Sequence, residues 1–328
     1  MTDLPVRSVR PFQLACLFCR AGAEKPCAIQ ERVAGLAEEI AQTPDLPLRL
    51  RCNIGDVFAF QDPGTAEDTP EGADFNRKRD VDFLQWLDLA PGSLWPARLV
   101  LRRLLLRVPS VRGICGYENP SSPAWRGCEK AFSGDYERGH ERGIEALIAP
   151  RPKAEMEAEK ERSMAFVNEA EVIAIRPHIL VCAVCQYGGG TRAPYAEDNL
   201  PELLQRALEP DCKIKVKLVP GADWDMCAPC PYRSATGCCL TGRISGGGVY
   251  NEVKDVNTLQ ALGLTYGTVL DLRELYRLIF ERLPTTDGVC ALNTIPLPEY
   301  SLWRDGCFSM TFPGPYEKGR EELLGRFG

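Results

Sequence analysis

Apolar positions recur along this chain at two spacings. Cys212–Val219 alternates lysines with Ile214, Val216 and Leu218, the period-two signature of a strand, and Leu46–Asn53 repeats it with Leu48 and Leu50 between arginines. Residues 76–89 and 251–264 set apolar side chains three and four apart and predict helices, each ending near a glycine, Gly92 or Gly263. Leu200–Leu208 predicts a short helix. Asp271 predicts the cap of a helix over Leu272–Leu283, with Glu274 three residues on. Its counterpart, Pro96–Val108, carries an Arg–Leu run that reads as an amphipathic helix with a basic outer edge. Asp80 and Asp255 fall at expected helix starts and read as caps. The pattern as a whole predicts an α+β fold: two pseudo-symmetric, helix-rich repeats with small sheets and long cysteine-bearing loops.

The repeat is legible in the residues. Arg10-Pro11 before Cys16-x-x-Cys19 is echoed by Arg176-Pro177 before Cys182-x-x-Cys185. Asn76, Asp80, Leu84, Gln85 and Gly92 match Asn251, Asp255, Leu259, Gln260 and Gly267 without a gap, and Cys115 matches Cys290 in that register. Trp125-Arg126-Gly127-Cys128 is echoed by Trp303–Cys307, and Gly134-x-Tyr136-Glu137-Arg138-Gly139 by Gly314-x-Tyr316-Glu317-Lys318-Gly319. The expected organisation is a first repeat over 1–148, a charged linker over 149–172 containing a solvated helix, and a second repeat over 173–328. Tyr136 and Tyr316 read as packing aromatics in terminal turns. Gly188-Gly189-Gly190-Thr191 and Ser245-Gly246-Gly247-Gly248 lack the lysine of a phosphate loop and read as flexible.

Composition narrows the class. With 328 residues the chain is long enough for two domains, and a net charge of -6 argues against broad contact with nucleic acid. The start shows no leader-like apolar core, and no apolar run reaches membrane-spanning length, so a cytoplasmic protein with no membrane segment is expected. Fifteen cysteines against two histidines, in a compartment that disfavours disulfides, read as metal ligands or redox thiols.

Three cysteine sets emerge. Cys16, Cys19, Cys115 and Cys128 form one, and Cys182, Cys185, Cys290 and Cys307 its counterpart. The third belongs to the second repeat alone: Cys227-x-x-Cys230-Pro231 with one or both of Cys238 and Cys239. Soft thiolate sets suit an iron–sulfur cluster or zinc. The Cys–Pro step points to iron–sulfur, a [4Fe–4S] cluster, with one to three per chain. His178 is a neighbour of the second set, as a donor to sulfide or a ligand; His140 reads as a surface residue. Cys27, Cys52 and Cys212 have no symmetric partner and read as structural.

Arg176-Pro177-His178-Ile179-Leu180-Val181-Cys182, Asp225-x-Cys227-x-x-Cys230-Pro231, Gly237-Cys238, and Asp255 with Leu262-Gly263-Leu264 resemble the DUF1284 family of small cysteine-rich bacterial proteins. The resemblance covers most of residues 174–290 and implies iron–sulfur binding without supplying a substrate. That family shows two histidines after Arg-Pro; here Ile179 takes the second place. The leading expectation is an iron–sulfur protein acting in redox chemistry or as a cluster-dependent oxidoreductase or lyase, with an electron-transfer protein or a small-molecule substrate as partner. The alternatives are a zinc-stabilised interaction module without catalysis, and a thiol redox protein using C-x-x-C directly.

Overall fold

The structure, a computed structural model, describes residues 4–52, 72–234, 237, 238, 248–290 and 314–327. The fold is α+β, and the chain divides into two compact units, Met1–Pro150 and Arg151–Gly328.

Unit one begins with β1 (Arg7–Val9), α1 (Pro11–Gly22), α2 (Ala28–Glu31), α3 (Ala34–Gln42) and β2 (Pro47–Leu50). It continues through α4 (Ala73–Leu87), β3 (Leu94–Pro96), α5 (Ala97–Arg107) and α6 (Asp135–Glu141). β2 lies between β1, to which it is parallel, and β3, to which it is antiparallel. Leu48 and Leu50 are buried and Arg49 is exposed, so the alternation along the strand separates core from solvent.

Unit two opens with α7 (Lys153–Glu169), then β4 (Val172–Ile175), α8 (Pro177–Gly188), α9 (Leu200–Ala207), β5 (Lys215–Leu218) and α10 (Trp224–Cys227). A two-stranded ribbon follows, β6 (Arg233–Ser234) with β7 (Gly237–Cys238). Then come α11 (Gly248–Leu262), β8 (Val269–Asp271), α12 (Leu272–Arg282), α13 (Asp287–Cys290) and α14 (Pro315–Leu324). The central strand β5 is parallel to β4 and antiparallel to β8, the same order and directions as in unit one.

Each sheet feeds a helix through Arg-Pro. Arg10 and Arg176 are extended, and Pro11 and Pro177 occupy the first helical position, where a missing N–H costs nothing. Each of these helices then meets a second helix through paired glycines. A Cβ on Gly139 would lie 1.9 Å from the Phe18 carbonyl oxygen, and one on Gly319 2.3 Å from that of Val184. Gly188 is therefore not part of a flexible loop: it ends α8, and a Cβ there would meet Pro315 O at 1.8 Å. Beside each contact a fully buried tyrosine donates to a carbonyl, Tyr136 to Val108 at 2.6 Å and Tyr316 to Leu283 at 2.7 Å. Both tyrosines are packing residues.

Several local expectations change. The charged segment belongs to unit two: on α7, Ser163 and Val167 are fully buried, and Lys160 pairs with Glu202 at 2.6 Å. The Arg–Leu helix α5 turns two arginines inward, Arg98 toward Asp45 before β2 and Arg103 onto the Leu87 carbonyl at the end of α4, each of which offers an acceptor. Asp271 does cap α12, accepting from Arg273 N at 2.8 Å and Glu274 N at 3.2 Å. His140 is half-buried, with Nε2 2.8 Å from the Leu105 carbonyl oxygen. Residues 245–247 lie outside the described residues. Among the described residues, no helix is long and apolar enough to cross a membrane.

Candidate functional site

In unit one the four thiols of the first set come together. Phe12, Ala15, Cys16 and Cys19 share one face of α1, at spacings of three, four and seven. Cys115 and Cys128 reach them from the segment after α5, where Cys128 N donates to Cys115 O at 2.7 Å and Cys115 N to Val111 O at 2.8 Å. Gly127 lets these two turns close: its φ is +79°, and a Cβ would lie 2.5 Å from the Cys115 oxygen. The four cysteines line one apolar cavity of about 20 Å³, with Phe12, Val111 and Ala131 among its walls.

Burial pushes the Cys19 thiol well up, and its neighbours Cys16, Cys115 and Cys128 push it further. Burial raises Cys115 as well, while Arg79 pulls it down. Burial thus disfavours the thiolate form of Cys19 and Cys115 unless positive charge joins them.

That charge has a source within the fold. Arg79, on α4, is almost fully buried, lines the cavity and stacks 3.7 Å from the centre of the Phe12 ring. The next residue, Asp80, pairs with Arg10 at 2.5 Å and accepts the Phe12 amide at 3.3 Å. Asp80 is thus mid-helix and caps the start of a different helix, α1, rather than its own. Burial raises its pKa to about 6 against the pull of Arg10 and Arg79.

Unit two repeats this frame with different side chains. Asp255, on α11, pairs with Arg176 at 2.6 Å and accepts the His178 amide at 2.9 Å. It too caps the helix opposite, here α8. His178 replaces Phe12, and its Nδ1 lies 2.6 Å from Asp255. Burial lowers the His178 pKa to about 3, with Lys254 and Arg176 adding to the effect against Asp255. Burial opposes charge on Asp255, but the hydrogen bond from His178 and the bond and charge of Arg176 bring its pKa down. The pair is an ionised carboxylate and a neutral imidazole whose proton sits on Nδ1, because an ionised carboxylate only accepts.

Cys182 and Cys185 lie on α8, one and two turns after His178. Cys185 and Cys290 belong to one buried core, with Cys182 and Cys227 packed against it. Cys307 and Cys239, and the side chain of Cys238, lie outside the described residues. The C-x-x-C turn is held on three sides. Arg151 Nη1 donates to the Ala228 carbonyl at 2.5 Å and the Cys230 carbonyl at 3.0 Å. Asp223 accepts from Arg176 N at 3.0 Å, and Asp225 from Ala174 N at 2.5 Å. The loop special to unit two therefore docks on Arg176, the residue that also binds Asp255.

The repeat pattern did not single out three residues at these places. Cys27 lines the unit-one cavity, although it lacks a counterpart in unit two. Arg79 and Lys254 occupy one register, each just before the matched aspartate, and that shared basic position was the available signal. Cys52 is fully buried, and burial raises its thiol to about 11; Cys212 is buried among apolar side chains.

The unit-one cavity is rich in sulfur, the donor type that soft metals favour, and has the buried Arg79 guanidinium on its wall. Among the described residues, no three Cys, His, Asp or Glu side chains form a ready-made metal-holding group. The unit-one cavity has room for one atom, so a four-iron core would require its thiols to spread. Comparisons with family models, with curated proteins and with solved structures find no match.

Proposed function

We propose that the protein is a cysteine-thiolate metalloprotein, with an iron–sulfur cluster as the leading occupant, serving redox chemistry or a cluster-dependent reaction. One observation carries this reading: Cys16, Cys19, Cys115 and Cys128, far apart in the chain, line a single apolar cavity beside the buried guanidinium of Arg79. Arg79 also donates to Asn76 and lies over the Phe12 and Phe75 rings, and the same charge would complement a centre of four thiolates and a metal, which carries net negative charge. The motifs shared with the DUF1284 family favour the same chemistry. An electron-transfer protein or a small-molecule substrate is the corresponding partner.

When bound, the cluster would supply electron storage, or a Lewis-acidic iron where only three thiols ligate. The chain's own part is to gather the sulfurs, exclude water and balance their charge. In unit two, Arg176 and Asp255 fix the start of α8, and with it the placing of Cys182 and Cys185. A second reading, a structural zinc site in unit one, is favoured by the single-atom size of that cavity.

Metal and acid-labile sulfide content of anaerobically prepared protein tests both. Iron with sulfide and a visible absorption band supports the first reading. Stoichiometric zinc in a colourless protein replaces it with the second, and a chain that takes up neither under anaerobic loading overturns both.

A further inference from the structure

Two of the unit-one thiols face each other across a pair of antiparallel segments. Gly116 and Gly127 form an antiparallel bridge, flanked by Tyr117 N donating to Arg126 O at 3.4 Å and Cys128 N donating to Cys115 O at 2.7 Å. In that register Cys115 stands directly opposite Cys128, and opposed residues send their side chains to the same side. Both line the unit-one cavity, and the nearness of Cys128 adds to the rise in the Cys115 pKa.

The backbone holds this pair in place. A Cβ on Gly127 would lie 2.7 Å from the Gly116 Cα, so the two segments touch. Cys115 N donates to Val111 O at 2.8 Å and Ala131 N to Cys128 O at 3.0 Å, which ties each cysteine from its other side. Residues opposed at a hydrogen-bonding position of an antiparallel pair have Cα atoms about 5.5 Å apart, inside the roughly 4.4–6.8 Å that a disulfide spans. Both are free thiols, and their exposure differs: Cys128 is half-buried, while Cys115 is 8% exposed.

We infer that Cys115 and Cys128 are a reversible dithiol–disulfide pair, oxidised by exchange with a low-molecular-weight disulfide. Cys128, the more accessible sulfur, loses its proton and attacks the small disulfide, forming a mixed disulfide and releasing one thiolate. Cys115 then loses its proton and attacks the Cys128 sulfur, releasing the second thiolate and closing the Cys115–Cys128 bond. The two protons end on the two released thiolates. The protein pair gives up two electrons and the small disulfide takes them. Arg79 favours the Cys115 thiolate that the second step needs. Once joined, these two sulfurs are no longer thiolate ligands, so the bond would close the unit-one site to metal. That consequence rests on the metal reading; the bond itself does not.

The test treats the full, metal-free chain with oxidised glutathione, blocks remaining thiols and maps disulfides by mass spectrometry of unreduced peptides. A Cys115–Cys128 crosslink that a phosphine reductant reverses is expected. Crosslinks that join other cysteines instead, or glutathione left on Cys128 with no crosslink, overturn the inference. In Cys115→Ser, glutathione should stay attached to Cys128; in Cys128→Ser, Cys115 should remain largely unmodified, and the reverse pattern overturns the order of steps. Anaerobic loading with cobalt(II), read by sulfur-to-metal charge-transfer absorption, then compares reduced and oxidised chains. Absorption is expected to fall on oxidation and return on reduction. Equal absorption in both overturns the closure of the site, whereas none in either removes the metal reading and leaves the mapped crosslink to decide the inference.

Discussion

The imidazole of His178 donates from Nδ1 to the Asp255 carboxylate across 2.6 Å, in the place where unit one sets the Phe12 ring beneath Arg79. One repeat position thus holds a hydrogen-bonded heterocycle in one unit and a hydrocarbon ring in the other. Asp80 and Asp255, common to both, do the same work of tying Arg-Pro to the neighbouring helix.

The difference has a pH signature. His178 has a folded pKa of about 3 and an unfolded one near 6.5, so between those values the unfolded chain holds the extra proton. Stability from this group is complete above pH 6.5 and falls as the pH drops, by about 1.4 kcal/mol per unit at the steepest. Asp80, Asp198 and Asp223, each raised to about 6 by burial, act in the opposite sense between roughly pH 4 and 6, where the folded state holds the proton. His178→Phe should remove only the first contribution. Urea midpoints at pH 7 and pH 5 should therefore shift more favourably on acidification in the variant than in the parent.

Removing either aspartate should cost far more. Asp80→Asn removes the buried carboxylate that faces Arg10, and Asp255→Asn the one that faces Arg176, each change worth about 3–5 kcal/mol on the scale of broken buried ion pairs. Equilibrium urea unfolding reads the loss. A cost below about 1 kcal/mol, the range of exposed pairs, would show that these contacts hold nothing together.

The glycine contacts make a prediction with its own control. Gly139→Ala and Gly319→Ala place a methyl inside a backbone oxygen's radius, so each should destabilise by about 1–3 kcal/mol or more. Gly35→Ala, on α3 with nothing within 4 Å, should instead stabilise by about 0.5–1 kcal/mol. Thermal melting of the three variants should separate them by sign.

Metal stoichiometry should follow the cysteine sets. Cys115→Ser should lose the unit-one centre and Cys290→Ser the unit-two centre, while Cys212→Ser should leave metal content unchanged. Elemental analysis of anaerobically purified variants gives the answer, and equal losses from all three would sink the assignment.

The strands and helices were readable because their periods are local: Leu48 and Leu50 alternate with arginines, and 76–89 repeats at helical spacing. The unit-one thiol set was readable because a repeat marks the residues it retains. Other features needed three dimensions. Asp80 looked like a cap for its own helix because sequence shows neighbours along the chain and not across it. The arginines of α5 looked solvated because charge alone does not reveal the carbonyls awaiting them. Cys27 was set aside for want of a counterpart, although a cavity wall need not respect symmetry. Gly188 read as slack in a loop, when its missing side chain is what lets two helices touch.

The division of the unit-one thiols between α1 and the turns at Cys115 and Cys128 bears on how the protein is made. A growing chain presents Cys16 and Cys19 early and their partners only after α4 and α5 have been synthesised. Until then the first pair is an exposed dithiol, open to stray metals and to oxidation. The cavity can close only when Gly127 has emerged to bend the second pair into place, so under the proposed metal reading loading belongs to the completed unit and not to the nascent helix.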